Sequence, residues 1–214
     1  MSEYFPIVWL TLCVSGSAVL FSAAVAIPLG VWLGLNPFWG KRLWLTIIHT
    51  GMSLPPVVAG LAIYLLLSRS GPLSGLGWLF TPQAMIVAQT ILAFPFALGI
   101  VVNGVQSISP ELIAQIRSLG ATPAQVRWTI LKETKRSLFV AVAAAFGRSI
   151  SEVGAVLIVG GNIQNHTRVL TTAIVLETNK GNFELALALG ATLLSLSFTV
   201  NFLILRLHRT ATLL

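Results

Sequence analysis

Five apolar runs dominate the chain, and each is long enough to cross a lipid bilayer as a helix. A spanning helix needs about 20 largely apolar residues. The first run, residues 7–35, contains no charged residue, and the others are residues 43–67, 84–105, 138–159 and 185–207. The pattern predicts an all-α, polytopic integral membrane protein with five transmembrane helices.

The composition agrees with a chain that is surrounded by membrane lipid. Charged residues make up 9% of its 214 residues, against about 25% in soluble domains. The net charge of +7 does not indicate nucleic acid, because the basic residues flank the apolar runs and form no patch interleaved with aromatics. The single cysteine, Cys13, excludes an intrachain disulfide. We expect one membrane domain, residues 1–214, whose first run stays in the mature protein because no basic segment precedes it.

The distribution of lysine and arginine predicts the orientation in the membrane. With the N-terminus outside and the C-terminus inside, nine basic residues face the cytoplasm and three face the exterior. The cytoplasmic set is Lys41, Arg42, Arg117, Arg127, Lys132, Lys135, Arg136, Arg206 and Arg209. The external set is Arg69, Arg168 and Lys180. This excess of basic residues on one side follows the positive-inside rule.

The one long polar stretch, residues 106–137, interrupts the apolar pattern and is predicted to face the cytoplasm. Pro110 is suited to open a helix that Gly120 ends. Thr122 before Pro123 is a typical N-cap and first-turn pair for a second helix. Because apolar residues recur at helical spacing within this stretch, we interpret it as a docking surface for another protein rather than a solvated loop.

Arg148 and Glu152 are the ionisable residues that lie well inside a predicted span. Four residues apart on one helix, they share a face and can neutralise each other. Such residues within a membrane are candidates for function. A buried pair that fixes helix packing and a pair that lines a polar pathway are both compatible with the spacing.

Prolines and glycines mark further candidates. Pro55 and Pro56 remove two backbone donors within the second run and leave either a simple kink or free carbonyls at a gate. Gly160 and Gly161, followed by Asn162, indicate a helix stop or a turn at a pore mouth.

Three more features lie near these positions. Arg168 is either a solvated charge or an attractor of anions. His49, as a lone histidine, favours a core or interfacial position over a ligand. The short apolar piece 171–177 suits a helix in the interface or one folded back over the mouth.

Several motifs of catalysis and nucleotide binding are absent from the sequence. It has no phosphate-binding loop, no H-E-x-x-H zinc motif and no G-x-S-x-G elbow. We therefore predict no catalytic residues, no metal site and no cofactor in this chain. Transport is the favoured function, with an ion-coupled carrier or anion channel as the alternative, although few intramembrane acids and no inverted repeat support it. A membrane scaffold without transport activity is a further alternative.

The polar stretch resembles the cytoplasmic loop of binding-protein-dependent ABC transporter permeases. That loop has Glu-Ala-Ala, three residues, Gly, nine residues and Ile-x-Leu-Pro, and this chain matches it with R-S-L-G-A-T-P around Gly120 and with Ile130. Residues 114–116 (AQI) replace Glu-Ala-Ala, and Lys132-Glu133 replace Leu-Pro. Under the resemblance, Glu111 serves for the missing acid. The resemblance implies an ATPase-coupling loop whose residues are Glu111, Arg117, Ser118, Leu119, Gly120, Ala121, Thr122 and Pro123.

Two further stretches resemble the molybdate, tungstate and sulfate branch of these permeases. They are SLPPVVAG at 53–60 and GRSISEVGAVLIVGGNI at 147–163, and the second is most similar to tungstate permeases. The resemblance, which covers about residues 40–190, implies a type I ABC importer permease in a bacterial or archaeal cytoplasmic membrane. It also implies a homodimer, two ATPase subunits that bind ATP and magnesium, and an external solute-binding protein.

Overall fold

The computed structural model describes residues 4–210, so residues 1–3 and 211–214 of the predicted domain lie outside it. Near the C-terminus it describes only the backbone of residues 205 and 207–210, which include Arg209. All regular elements in the described part are helical. They are α1 (Tyr4–Leu35), α2 (Lys41–Met52), α3 (Pro56–Leu67), a 3-10 turn (Ser74–Leu76), α4 (Pro82–Gln106), α5 (Pro110–Ser118), α6 (Pro123–Glu133), α7 (Lys135–Ile150), α8 (Gly154–Gly160), α9 (Leu170–Asn179) and α10 (Phe183–Thr210).

Three helices in the described part are continuous and apolar enough to cross a membrane: α1, α4 and the segment Phe183–Ile204 of α10. Two further spans are broken helix pairs. The α2–α3 pair bends by 97°, and the α7–α8 pair bends by 58°. Counting each pair as one span gives the predicted five, so the all-α polytopic fold is confirmed.

The predicted second span is broken into two helices at Pro55 and Pro56 rather than kinked as one helix. Pro56 takes the first position of α3, and the carbonyl of Pro55 accepts the amides of Val58 and Ala59 at 3.0 and 3.1 Å. A proline at the first helical position lacks only an N–H that would have no partner there anyway. The pair therefore starts a new helix in a new direction.

The bundle centres on α1 and α4, which pack along their length through small residues. In α1, Gly30 lies so close to Val101 of α4, and Gly34 so close to Val105, that a methyl group added to either glycine would overlap the facing valine. Gly104 of α4 approaches Ser137 of α7 in the same way. Without water to drive association, close backbone approach through small residues is what holds helices together in lipid.

Candidate functional site

The cytoplasmic-loop prediction of two helices with a bend is confirmed by α5 and α6. The Oγ of Ser109 accepts the amide of Leu112 at 3.3 Å at the start of α5. At the start of α6, the Oγ1 of Thr122 accepts the amide of Gln125 at 3.3 Å, and the Oε1 of Gln125 accepts the amide of Thr122 at 2.7 Å. This reciprocal capping satisfies two amides that would otherwise have no partner.

The bend between the two helices depends on one glycine. Gly120 has a φ of +81°, a left-handed conformation that costs an L-residue about 1–2 kcal/mol. Beside it, the side chain of Leu119 is 87% exposed. The predicted residues from Arg117 to Pro123 thus form one compact, protruding tip, with Glu111 exposed in the first turn of α5.

The base of this tip is fixed to the membrane bundle. Val126 and Ile130 of α6 are buried in a cluster that also contains Val101 and Val105 of α4. Trp128 faces outward and is 61% exposed, with the Lys132 Nζ 5.5 Å from its ring centroid. An open cleft of about 320 Å³ between the tip and the end of α1 is lined by Arg117 and Arg127. The loop is therefore a rigid projection with an exposed apolar and basic end.

Arg148 and Glu152 form the predicted ion pair, at 2.8 Å between Nη1 and Oε2. They do not share one helix, however, since Arg148 lies in the last turn of α7 and Glu152 lies in the break before α8. The break lets the other carboxylate oxygen of Glu152 accept the amide of Ala155 at 2.9 Å. Glu152 is 2% exposed, so one buried carboxylate both neutralises Arg148 and caps α8.

Arg148 is only partly buried. Its side chain is 21% exposed, and its guanidinium lies 5.8 Å from the centroid of the Phe96 ring in α4. A guanidinium over an aromatic face gains from the ring quadrupole. The arginine is thus held by one carboxylate and one ring while part of it stays accessible.

The two helix breaks lie against each other. Gly154 at the start of α8 is in close contact with Val57 in the first turn of α3, and Gly60 packs directly on Ala155. The elbow at Pro55–Pro56 therefore lies in the same region of the bundle as the ion pair at the α7–α8 break. From the sequence, the two features were assigned to separate spans.

The loop after α8 has the predicted stop. Gly160 ends α8, and Gly161 follows with a φ of +70°. The amide of Gly161 donates to the carbonyl of Leu157 at 2.9 Å, so it is not a free donor for an anion. The Nε of Arg168 donates to the Oδ1 of Asn162 at 3.3 Å.

Arg168 also borders a small pocket of about 210 Å³ with Trp9, Gln164 and His166. Asn162 and Arg168 are thus brought together, but at the other end of α8 from the Arg148–Glu152 pair.

Threonines that the sequence analysis missed hold this region together. Thr167, fully buried, donates to the carbonyl of Gly160 and accepts the amide of Ile163. Thr171 donates to the carbonyl of Glu152 at 2.9 Å, and Thr11 of α1 accepts the amide of Leu170 at 2.9 Å. The sequence signal that could have identified these threonines is the recurrence of polar residues within apolar segments.

These bonds anchor the first turn of α9 inside the bundle. The 171–177 piece is therefore packed on the bundle at its first turn, where Thr171, Thr172 and Ala173 are buried.

His49 is not a core residue, because its side chain is exposed on α2. The described residues contain no group of three or more His, Cys, Asp or Glu side chains placed to hold a metal ion.

Comparison with known proteins identifies the family. Residues 26–212 match the model of the binding-protein-dependent transport system inner membrane component. The chain is 43% identical over 199 residues to the tungstate uptake system permease protein TupB of Peptoclostridium acidaminophilum, covering 93% of this chain and 87% of that one. It is 45% identical to a probable anion ABC transporter permease protein of Haloferax volcanii, covering 89% and 84%.

More distant relatives and solved structures agree. The molybdenum transport system permease protein ModB of Escherichia coli is 31% identical, covering 78% of this chain and 76% of that one. Inward-facing structures of the MetNI methionine ABC transporter match with a TM-score of 0.75 at 23% identity, covering 99% of this chain and 97% of that chain. A bacterial alginate ABC transporter matches with a TM-score of 0.78 at 19% identity, covering 99% and 80%. The chain therefore belongs to the family of binding-protein-dependent transport system inner membrane components, and it is a multi-pass ABC importer permease subunit rather than an enzyme.

Proposed function

We propose that this chain is the permease subunit of an ATP-driven importer for tungstate or a related oxyanion. The observation that carries the proposal is the rigid projection at Gly120, with exposed Leu119 at its tip and a base buried in the bundle. Relatives named as tungstate permeases at 43% and 41% identity support the oxyanion, as does the anion permease of Haloferax volcanii.

The projection is suited to receive force from a separate ATPase subunit. An exposed leucine beside exposed arginines gives the tip an apolar side chain with a basic rim, and arginine is enriched among the residues that carry the binding energy of interfaces. Because Val126 and Ile130 fix α6 to α4 and α7, a displacement of the tip moves membrane helices rather than bending the loop. ATP and magnesium are bound by the ATPase subunits, and this chain holds no cofactor.

Two copies of the chain form the transport path. Five spans are few to enclose a path alone, and paired chains related by a two-fold axis are the commonest solution. α10 has a broad exposed apolar face that includes Leu187, Leu194 and Phe198, each more than 70% exposed. This face is available for lipid or for the second copy. Two ATPase subunits then dock on the two projections, and a solute-binding protein delivers the anion outside.

The N-terminus lies outside and the C-terminus inside the cytoplasmic membrane. This orientation places the projection, with its exposed Arg117 and Arg127, on the ATPase side. It also gives the cytoplasmic face nine of the thirteen basic residues, as the positive-inside rule requires.

The path passes the two facing helix breaks. Pro55, Pro56, Arg148 and Glu152 lie in this region, and Arg148 is partly accessible. Gly160, Gly161, Asn162 and Arg168 form the external mouth through which the anion enters, and Arg168 supplies positive potential there. ATP-driven closure of the ATPase pair switches this path between outward and inward access.

Reconstitution tests the proposal. The chain is co-expressed with an ATPase subunit and a binding protein, purified, and placed in liposomes. We expect the ATPase to co-purify and tungstate to enter only with ATP and the loaded binding protein. Uptake by this chain alone without ATP would contradict the proposal and favour an ion-coupled carrier or channel.

A further inference from the structure

Helix α2 has three distinct faces. Ile48 and Met52 pack on Gly99 of α4. Trp44, Ile47 and Gly51 line an apolar groove of about 380 Å³. The third face is polar and exposed, and it consists of Thr46, His49, Thr50 and Ser53. Their spacing of three, four and seven residues from Thr46 places them along one side of the helix.

This polar face lies at membrane depth. Gly51 is in contact with Pro95, near the middle of the spanning helix α4. The hydroxyls of Thr46 and Thr50 donate to carbonyls of their own helix at 3.0 and 2.8 Å, which lipid tolerates. The exposed imidazole of His49 has no such internal partner among the described residues. Because ionisable side chains in membranes face protein or water-filled cavities, this face is turned away from lipid.

The polar face opens on the same side of the bundle as Arg148. On α4, Phe94, Pro95 and Leu98 line the apolar groove on one side of the contact between Gly99 and α2. Phe96 follows on the other side of that contact, and the guanidinium of Arg148 lies over its ring. On α2, the groove residues and His49 likewise lie on opposite sides of Ile48.

We propose that Thr46, His49, Thr50 and Ser53 line a water-filled path for a tetrahedral oxyanion, opposite the same face of a second copy. His49 is the residue of this face that contacts the anion, through a ring N–H. The Ser53 hydroxyl and the His49 imidazole offer hydrogen-bond donors without a fixed cage, so the anion is passed on rather than retained. The inference rests on the proposed function and adds the specific lining of the path.

Cysteine accessibility tests the lining. Single cysteines replace Thr46, His49, Thr50 and Ser53 in a Cys13→Ser background of the permease–ATPase complex in membranes. A negatively charged, membrane-impermeant methanethiosulfonate is the probe, and Ile47→Cys on the groove face is the matched control. We expect labelling of the polar face at least ten-fold faster than at Ile47→Cys, and slower when tungstate and the binding protein are present.

Transport by two variants tests the role of His49. His49→Leu is expected to lower tungstate uptake at least ten-fold, and His49→Asn, which keeps an N–H donor, is expected to retain most of it. Elution of each variant as an intact permease–ATPase complex with the wild-type melting temperature shows that it is folded.

Three results would overturn the inference while the wild-type complex still takes up tungstate. They are equal labelling of the polar face and Ile47→Cys, labelling that tungstate leaves unchanged, and normal uptake by His49→Leu. Absence of ATP-dependent uptake by the wild-type complex would instead overturn the proposed function, so the two failures are distinguishable.

Discussion

Arg148 donates to Glu152 at 2.8 Å across the break between α7 and α8, so a single ion pair joins two half-helices. The other oxygen of Glu152 accepts the amide of Ala155, the second residue of α8. The carboxylate of Glu152 therefore neutralises Arg148 and accepts a backbone hydrogen bond at the same time. This arrangement explains why the spanning helix bends by 58° without leaving a buried charge uncompensated.

Removing the charge of Glu152 should destabilise the protein. Glu152→Gln keeps an oxygen for the Ala155 amide but leaves Arg148 without its counter-ion. Because Arg148 retains some exposure, we expect a loss of about 3 kcal/mol, the lower end for a broken buried pair. Thermal unfolding of the purified complex measures it. The double variant Arg148→Gln with Glu152→Gln should recover much of that stability.

The same double variant separates a packing pair from a pair that lines the path. If the pair only packs helices, restored stability brings restored uptake. We expect tungstate uptake to stay at least ten-fold below wild type, because the path has lost its positive group. Normal uptake by the stable double variant would leave the pair with a structural role alone.

Gly120 should be essential for coupling. Gly120→Val meets open space but must adopt a φ of +81°, and the strain of about 1–2 kcal/mol should shift the bend and misplace Leu119. We expect normal membrane insertion but at least ten-fold lower uptake. Gly16→Val is the matched control, since it also meets open space and lies in a helix with ordinary φ. Equal uptake by both variants would remove the bend from the mechanism.

Leu119 should matter for ATPase binding but not for stability. Its side chain is 87% exposed, so Leu119→Ser should change the free energy of unfolding by less than about 0.5 kcal/mol. Because the tip would lose its apolar anchor, we expect the ATPase subunit to co-purify poorly. Leu73→Ser, at an exposed leucine between α3 and α4, is the control and should retain the ATPase. Full retention of the ATPase by Leu119→Ser would place the docking contact elsewhere.

The sequence predicted the loop better than it predicted the membrane core. At Pro110, Gly120 and Pro123 the signals are local, since each residue's own backbone preference determines a helix start or stop. The break at Glu152 depends instead on tertiary partners, namely the hydroxyl of Thr171 and the packing of Val57 on Gly154. No pattern along one span reveals such partners.

For a related reason, the side of each membrane helix that faces lipid was predicted least well. Hydropathy predicts that residues 43–67 can lie in lipid, but it averages over the polar face of α2. His49 considered alone carried no directional information. The direction in which His49 faces is identified by Thr46, Thr50 and Ser53 on the same side of α2, and by Ile48, which packs on α4.

Thr167 should stabilise the loop between α8 and α9 through its hydroxyl. Thr167→Val keeps the shape but leaves the carbonyl of Gly160 and the amide of Ile163 without their partner. With the side chain fully buried, we expect a loss of about 2–3 kcal/mol, seen as a lower melting temperature. Thr167→Ser, which retains the hydroxyl, should lose less. A lower melting temperature for Thr167→Ser than for Thr167→Val would show that the methyl group, not the hydrogen bonds, is what matters.

Glu177 should titrate below the ordinary range for glutamate. Lys180 donates to its carboxylate at 2.8 Å and, with a further bond from Asn182 at 3.2 Å, lowers the pKa of Glu177. Because the pKa of Glu177 is lower in the folded state, its ion pair stabilises the fold fully above the pKa that Glu177 has in the unfolded chain. That stabilisation is lost as the pH falls through the pKa of the folded state. Lys180→Met should therefore raise the pKa of Glu177, which NMR of the labelled carboxyl carbon measures. Lys135→Met, which removes a lysine at the start of α7, is the control, and an unchanged pKa in Lys180→Met would contradict the pairing.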